Sequence, residues 1–388
     1  MRGPVDLVRP NPKDGVVGSG RWSKGADQLG VFEAIGSDTH EEVLFGNDPV
    51  SGLRTIIAIH SSALGPALGG TRFYAYQSEE DALIDALRLS KGMTYKSAMA
   101  GLDLGGGKAV IIGDPRTMKT ERLLRVYGRI IDSLGGRYIT AEDVGTTPAD
   151  MAVVSRETQW VAGLPSEMGG SGDPSPATAR GVINGMLAVA ERLWGSDDLS
   201  GRTVAVQGVG KVGGNLVERL TKAGASTVVA DVNPAAADRM ATDHGSRIVG
   251  LDEIYDVECD VFAPCALGGS LSEHTIPRLR CTAVVGSANN QLAHEDADGD
   301  RLVDRGILYA PDFVVNAGGI INIAVGIRGY DPQRAASAID DIQSSVSGVL
   351  EVARRLGVNP HNAAVMAAEE RISQIGSLPG HRGVSRTL

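Results

Sequence analysis

Apolar positions along this chain switch repeatedly between alternation and helical spacing, and each switch marks an element. Glu42-Val43-Leu44-Phe45-Gly46 and Leu53-Arg54-Thr55-Ile56-Ile57-Ala58-Ile59 read as the strands of a hairpin, with Asn47-Asp48-Pro49 as its turn. The following Gly65-Pro66-Ala67-Leu68-Gly69-Gly70-Thr71-Arg72 reads as a bend whose paired glycines let a ligand touch backbone atoms. Ser78, an N-cap with Asp81 three residues on, opens a helix carrying Leu83, Ile84, Leu87 and Met93. That helix runs out near Lys96; Gly101 and the run Gly105-Gly106-Gly107 then predict a tight turn, after which Lys108 opens the strand Ala109-Val110-Ile111-Ile112. A helix from about Glu121 to Leu134 leads to the strand Arg137-Tyr138-Ile139-Thr140-Ala141. Thr147 caps the next helix with Pro148 at its first position, so Asp143 falls in a short strand-to-helix loop.

Past residue 165 the rhythm becomes more regular. Residues Ser166 to Pro176 form a Gly, Ser and Pro run that reads as a linker, and a helix follows from Thr178 to Leu193. Thr203-Val204-Ala205-Val206-Gln207 is a buried strand, Gly208-Val209-Gly210-Lys211-Val212-Gly213 follows at once, and a helix continues to about Lys222. The strand Thr227-Val228-Val229-Ala230 ends at Asp231. Further strands fall at Asp260-Val261-Phe262-Ala263-Pro264, Ala283-Val284-Val285-Gly286 and Ile307-Leu308-Tyr309-Ala310, with helices near 332–356 and 360–376. The alternation predicts an α/β protein of two domains.

Composition narrows the class. A length of 388 residues suits two cores, and 51 glycines with 4% aromatics fit close backbone approaches better than a sandwich. The net charge of −10, without a basic run, argues against nucleic acid. No apolar stretch has the length of a membrane span or the form of a signal peptide, and Cys259, Cys265 and Cys281 offer no C-x-x-C pair. A reduced, cytoplasmic protein without a zinc ribbon is expected. Neither H-E-x-x-H nor G-x-S-x-G occurs, and Gly105-Gly106-Gly107-Lys108 misses the P-loop pattern at Leu102 and Ala109. Asp296, Asp298 and Asp300 lack the glycine and glutamate of a calcium loop and read as a solvated acidic turn, so no metal is expected.

Candidate chemistry gathers at a few points. Lys108 is crowded by glycine backbone and apolar strand, which is expected to lower its pKa by desolvation. The glycine triplet has its strand before it, its helix after it and an acid twenty-three residues on, the arrangement of a dinucleotide-binding turn. Its glycines permit the tight turn, the approach to pyrophosphate and close helix packing, while the helix N-terminus offers free N–H groups to phosphate. Asp231 suits both ribose hydroxyls and repels a 2′-phosphate, so NAD is expected over NADP. Asn289, Asn290 and Asn316, each just past a strand, suggest a polar wall facing nicotinamide and substrate.

Assembled in order, Ala63 to Arg72, the segment from Met93 to Lys108 that carries Lys96 and Lys108, Thr140-Ala141-Glu142-Asp143-Val144-Gly145-Thr146, the glycine turn, Ala263 to Gly269, Ala288-Asn289-Asn290 and Tyr309-Ala310-Pro311-Asp312 resemble the glutamate/leucine/phenylalanine/valine dehydrogenase family. The likeness runs from about Gly52 to about Ala324 and is nearest to the branched-chain members. It implies a substrate and oligomerisation domain over 30–164 plus about 335–375, a Rossmann domain over 165–334, a mobile extension over 1–29, a polar tail over 376–388, and a homo-oligomer. The implied reaction is reversible oxidative deamination of an L-amino acid to its 2-oxo acid and ammonia. By the resemblance, Lys96 with Gly69 and Gly70 holds the substrate carboxylate, Lys108 activates the attacking water, and Asp143 shuttles protons at the amine. Asn289 and Asn290 correspond to the family's pair near substrate and nicotinamide ribose, and Thr178 to its carboxamide-binding threonine. Lys211, Val212, Cys265, Ala266 and Asn316 are implied as further cofactor contacts.

Leu68 stands where glutamate-specific relatives carry lysine. With Ala141, Met93, Ile320 and Ile323 it implies an aliphatic pocket for valine, leucine and isoleucine. A phenylalanine dehydrogenase and a catalytically silent NAD-binding sensor remain the alternatives.

Overall fold

The computed structural model describes residues 31–36, 40–266 and 268–378. The N-terminal extension, the tail from 379 onwards and Leu267 of the Ala263–Gly269 motif lie outside them. Two sheets organise the rest. The first has the order β1-β2-β4-β3-β5, from β1 (Glu42–Asp48), β2 (Leu53–Ser61), β3 (Ala67–Tyr74), β4 (Gly105–Ile112) and β5 (Tyr138–Glu142). The hairpin pairs antiparallel with Glu42 opposite Ile59, β2 pairs antiparallel with β4, and β3 lies parallel between β4 and β5.

The second sheet is wholly parallel, in the order β11-β10-β9-β6-β7-β8. Its strands are β6 (Thr203–Gln207), β7 (Ser226–Ala230), β8 (Arg247–Ile248), β9 (Val261–Pro264), β10 (Ala283–Val284) and β11 (Leu308–Tyr309). Strand order reverses between β6 and β9, which places the glycine turn after β6 at the switch point where doubly wound sheets bind ligands.

The triple glycine proves to be strand, not turn: β4 begins at Gly105 and is buried throughout. Helix Glu79–Met99, capped as expected by Ser78 accepting from the Asp81 N–H, lies directly on it. A Cβ on Gly106 would come within 2.1 Å of the Thr94 backbone nitrogen, and one on Gly107 within 2.7 Å of the Tyr138 ring. The turn itself is made by Gly101, at φ 69°. Likewise the expected bend at Gly65–Arg72 is largely β3, because Gly69 lies so close to β4 that its Cβ would meet the Gly107 carbonyl at 1.8 Å. Alternation cannot register a strand whose side chains are absent so that its neighbours can approach.

Two further segments differ from the sequence reading. The expected acidic turn lies within the first two turns of helix Glu295–Asp304, where Asp298 is fully buried and accepts from the His294 N–H at 2.7 Å and from Arg301. Acidic side chains there complement the helix dipole. The helix expected near 332–356 is two, Pro332–Asp340 and Ile342–Leu356, and both pack on helix Ser175–Trp194. Helix Pro360–Gly376 instead returns to Glu79–Met99, where Ala368 packs with Leu64 and Ala98.

These packing facts separate two kinds of glycine. Gly106→Ala must drive a methyl into helix backbone and is expected to lower unfolding stability by about 3 kcal/mol. Gly348, inside helix Ile342–Leu356 with open space around it, should gain up to about 1 kcal/mol as alanine. Denaturant midpoints of the two variants check both signs.

Candidate active site

Between the two sheets lies a cleft of about 370 Å³, walled by β3, β4 and β5 on one side and by the loops after β10 and β11 on the other. Lys108, only 5% exposed, projects from β4, and its Nζ donates to Asp143 Oδ2 just beyond the end of β5. The same oxygen accepts from Arg72 Nε at 3.3 Å. Arg72 in turn reaches Asp85 Oδ2 at 2.9 Å, to which the Tyr76 hydroxyl also donates. The result is an alternating row, Lys108, Asp143, Arg72, Asp85. Burial pushes the Asp143 carboxyl up, but the Lys108 and Arg72 charges outweigh it and hold it well below the usual carboxylate range. Gly70 makes this possible, since a Cβ there would stand 2.8 Å from that of Asp143.

Lys96, in the last turn of its helix, faces the opposite wall. Its Nζ donates to Asn289 Oδ1 at 2.8 Å, and Asn316 Nδ2 donates to the same oxygen at 2.9 Å. One hydrogen bond therefore joins the two halves across the floor. Burial lowers the Lys96 pKa to about 8, with Asp312 and Asp143 opposing the fall and Lys108 adding to it.

Leu68, Ala141, Ile320 and Ile323 line the cleft and are nearly or fully buried. Met93, Gly69, Gly70 and Asn290 share the same cavity, so every expected substrate contact is brought to one place. Thr178, Val212, Asn289 and Asn316 extend it towards the second sheet.

The glycine turn lies further along that sheet. Gly208 takes φ 91° against Ala266, while Gly213 packs on the Gly208 carbonyl and on Cys265. Gly210, with open space at its Cβ position, caps helix Lys211–Lys222. Asp231 accepts from the Val209 and Asn233 N–H groups, each at 2.7 Å, and so fixes the turn. Cys265 is held by its N–H to the Gln207 carbonyl, and burial pushes its thiol up, so it is wall and not nucleophile. The Lys211 side chain is largely exposed, 3.6 Å from Asp173. A dinucleotide fits these residues: the open cradle at Gly210 meets a helix N-terminus, and Asn316 Oδ1 is a buried acceptor without a donor. Among the described residues no cluster of metal ligands and no helix long and apolar enough to cross a membrane is found.

Sequence reasoning missed Arg72, Asp85, Asp312 and Glu142. Burial lifts the Glu142 carboxyl to about 7, opposed by Lys211 and reinforced by Asp173 and Asp143. Arg72 closes the motif ending Gly69-Gly70-Thr71-Arg72, which was the available clue, while its place beside β4 emerges only in the fold.

A charged cleft facing a doubly wound nucleotide sheet defines a two-domain dehydrogenase. The family model described as Glu/Leu/Phe/Val dehydrogenase, dimerisation domain, matches residues 40–160. The model described as Glutamate/Leucine/Phenylalanine/Valine dehydrogenase matches 169–239 and 230–378. A leucine dehydrogenase of Geobacillus stearothermophilus is 52% identical over 88% of this chain and 93% of its own. A valine dehydrogenase of Streptomyces virginiae is 52% identical over 86% and 94%. The crystal structure of L-tryptophan dehydrogenase from Nostoc punctiforme superposes with a TM-score of 0.76 at 44% identity, covering 89% of this chain and 99% of that one. The chain belongs to the glutamate/leucine/phenylalanine/valine dehydrogenase family and is an amino acid dehydrogenase.

Arg72 is expected to be the support of Asp143. Arg72→Ala should lower kcat by about 10²-fold with little change in KM, since it frees the carboxylate to turn. Arg72→Lys should recover little, because one ammonium cannot reach both aspartates. Steady-state kinetics on the two variants decides the point.

Proposed function

We propose that the protein catalyses NAD-dependent, reversible oxidative deamination of short branched-chain L-amino acids to their 2-oxo acids and ammonia. The observation that carries this reading is the convergence of Lys96, Lys108 and Asp143 on one aliphatic pocket. Lys96 pairs with the substrate carboxylate, and Asn290 and the Gly69-Gly70 backbone complete its seat. Asp143, held in place by Lys108 and Arg72, takes and returns protons at the substrate nitrogen. Lys108 orients and deprotonates the water that attacks the imine carbon and then stabilises charge on its oxygen. Its hydrogen bond to Asp143 lets a proton pass between the two. Gly208, Gly210, Gly213, Asp231, Thr178 and Asn316 would hold NAD, which would supply the acceptor for the hydride of the α-carbon.

Leu68 offers no charge to a second carboxylate, and Ile320 and Ile323 shorten the pocket, which supports valine, isoleucine and leucine over glutamate. The 52% identity to both leucine and valine dehydrogenases agrees. Residues 40–160 match a dimerisation domain, in keeping with a homo-oligomer. A cytoplasmic location accords with this chemistry.

NADH formation with a panel of L-amino acids tests the reading. Valine, leucine and isoleucine should give the highest kcat/KM, and phenylalanine and tryptophan values at least about tenfold lower. Lys108→Ala and Asp143→Asn should cut kcat by about 10³-fold or more while NADH still binds. A variant of Lys108 that retained most of its kcat would remove it from the mechanism.

The pH dependence of substrate binding gives a second check. Lys96 holds a carboxylate only while protonated, and its lowered pKa of about 8 means the charge is lost as pH rises through that value. KM for a branched 2-oxo acid should therefore be flat near pH 7 and climb about tenfold per unit well above pH 8. A KM unchanged between pH 7 and 9.5 would contradict the assignment.

A further inference from the structure

We infer that Asp312 is a positioning residue of the substrate site, fixing the loop that carries Asn289 and Asn290 and supplying Lys96 with a counter-charge. This rests on the dehydrogenase reading above.

Asp312 follows β11 at the start of the short helix Asp312–Val315, is 5% exposed and lines the cleft. Neither proton transfer nor cofactor binding, as derived above, uses it. Its Oδ2 accepts from the Gln291 backbone N–H at 3.1 Å and its Oδ1 from the Phe313 N–H at 2.8 Å. Gln291 is fully buried, and its side-chain amide donates to the Gly286 and Ala288 carbonyls at 2.9 and 3.1 Å. Gln291, which braces the connection after β10, is thereby itself tied to one carboxylate.

Immediately before Gln291 stands Asn290 at φ 51°, the one non-glycine residue in the left-handed region among the described residues. L side chains adopt that conformation at a cost, and it persists where surrounding bonds over-determine it. Here they do. The Gly269 N–H donates to the Asn290 carbonyl at 2.7 Å on one side, and Asp312 takes the Gln291 N–H on the other. The twist presents the Asn289 side chain to Lys96 and Asn316.

The charges are arranged to match. Asp312, Lys108 and Asp143 face Lys96. His361, from helix Pro360–Gly376, and Lys96 face Asp312 itself, with the Tyr309 hydroxyl beside its N–H at 3.3 Å. His361 also lies 3.6 Å from Glu295. Burial pulls Lys96 down, and Asp312 is the largest charge holding it up. Burial raises Asp312 in turn, against its backbone donors, His361 and Lys96. Removing the Asp312 charge lets Lys96 lose its proton at lower pH, when the substrate carboxylate needs it.

The test is Asp312→Asn in the full chain, with Asp312→Glu as the charge-keeping partner and thermal melting as the check on folding. For a branched 2-oxo acid with NADH, Asp312→Asn should raise KM about tenfold at pH 8 with kcat reduced less than about threefold. The alkaline rise in KM should begin at least about half a unit lower in pH, and Asp312→Glu should move it back towards wild type. Wild-type KM and pH profile in Asp312→Asn would overturn the proposal. So would a loss confined to kcat. A measurement on the unaltered protein stands behind these: the Gln291 amide should exchange with deuterium as slowly as the sheet core, and exchange at the rate of exposed loops would overturn the proposed hold. Wild-type protein inactive on every amino acid would instead sink the dehydrogenase chemistry, while the exchange result would still decide what Asp312 does to the loop.

Discussion

Lys108 and Asp143 can be taken out of water only together. An unpaired ion of either kind in this cleft costs several kcal/mol, and their shared hydrogen bond offsets that cost only when they sit close. Closeness is purchased with glycine. Gly69 and Gly107 let β3 and β4 approach, and Gly70 leaves room for Asp143 at the end of β5. Arg72 and Asp85 then continue the alternation of charge outward, so that no member of the row stands alone. The unusual composition of these strands follows from the electrostatics of the site they carry.

The second sheet contributes by facing this row across the cleft. Its switch point sets the glycine turn, and the loops after β10 and β11 bring Asn289 and Asn316 opposite Lys96. Lys96 is the one member of the constellation that binds both halves, through Asn289 Oδ1, and its pKa near 8 leaves it charged but less firmly than a surface lysine. A carboxylate entering the cleft restores what burial removes. Substrate affinity and the pairing of the two halves are thus coupled at a single ammonium group. Glu142, lifted to about 7 and opposed by Lys211 from the glycine turn, adds a second titrating contact on the outer lip of the same cleft.

Much of this was legible in the sequence, for identifiable reasons. The strand, glycine turn, helix and acid from Thr203 to Asp231 form a local signal, and the structure shows Gly208 turning at positive φ and Gly213 packed closely against it. Caps at Ser78 and Thr147 were equally local. The failures share a different cause. The strand Ala67–Tyr74 and the glycine start of Gly105–Ile112 were hidden because their glycines answer to partners distant in sequence, Thr94, Tyr138 and each other. The edge strand β8 has exposed residues and no periodicity to find. Asp298 looked like part of a solvated turn and Asp312 carried no role of its own, since only the folded chain shows that both are buried and bonded to backbone. Site residues projecting from recognisable motifs were found; those that support them, Arg72 and Asp312 above all, were not.

The convergence of two ammonium groups and one carboxylate on a single substrate is tested most directly by a crystal structure of the protein with NADH and a branched-chain 2-oxo acid. The carboxylate should lie within hydrogen-bond distance of Lys96 Nζ, the oxo oxygen should face Lys108 Nζ, and the nicotinamide should stand on the opposite face of the α-carbon. A 2-oxo acid seated elsewhere, or with its α-carbon turned away from Lys108 and Asp143, would contradict the account.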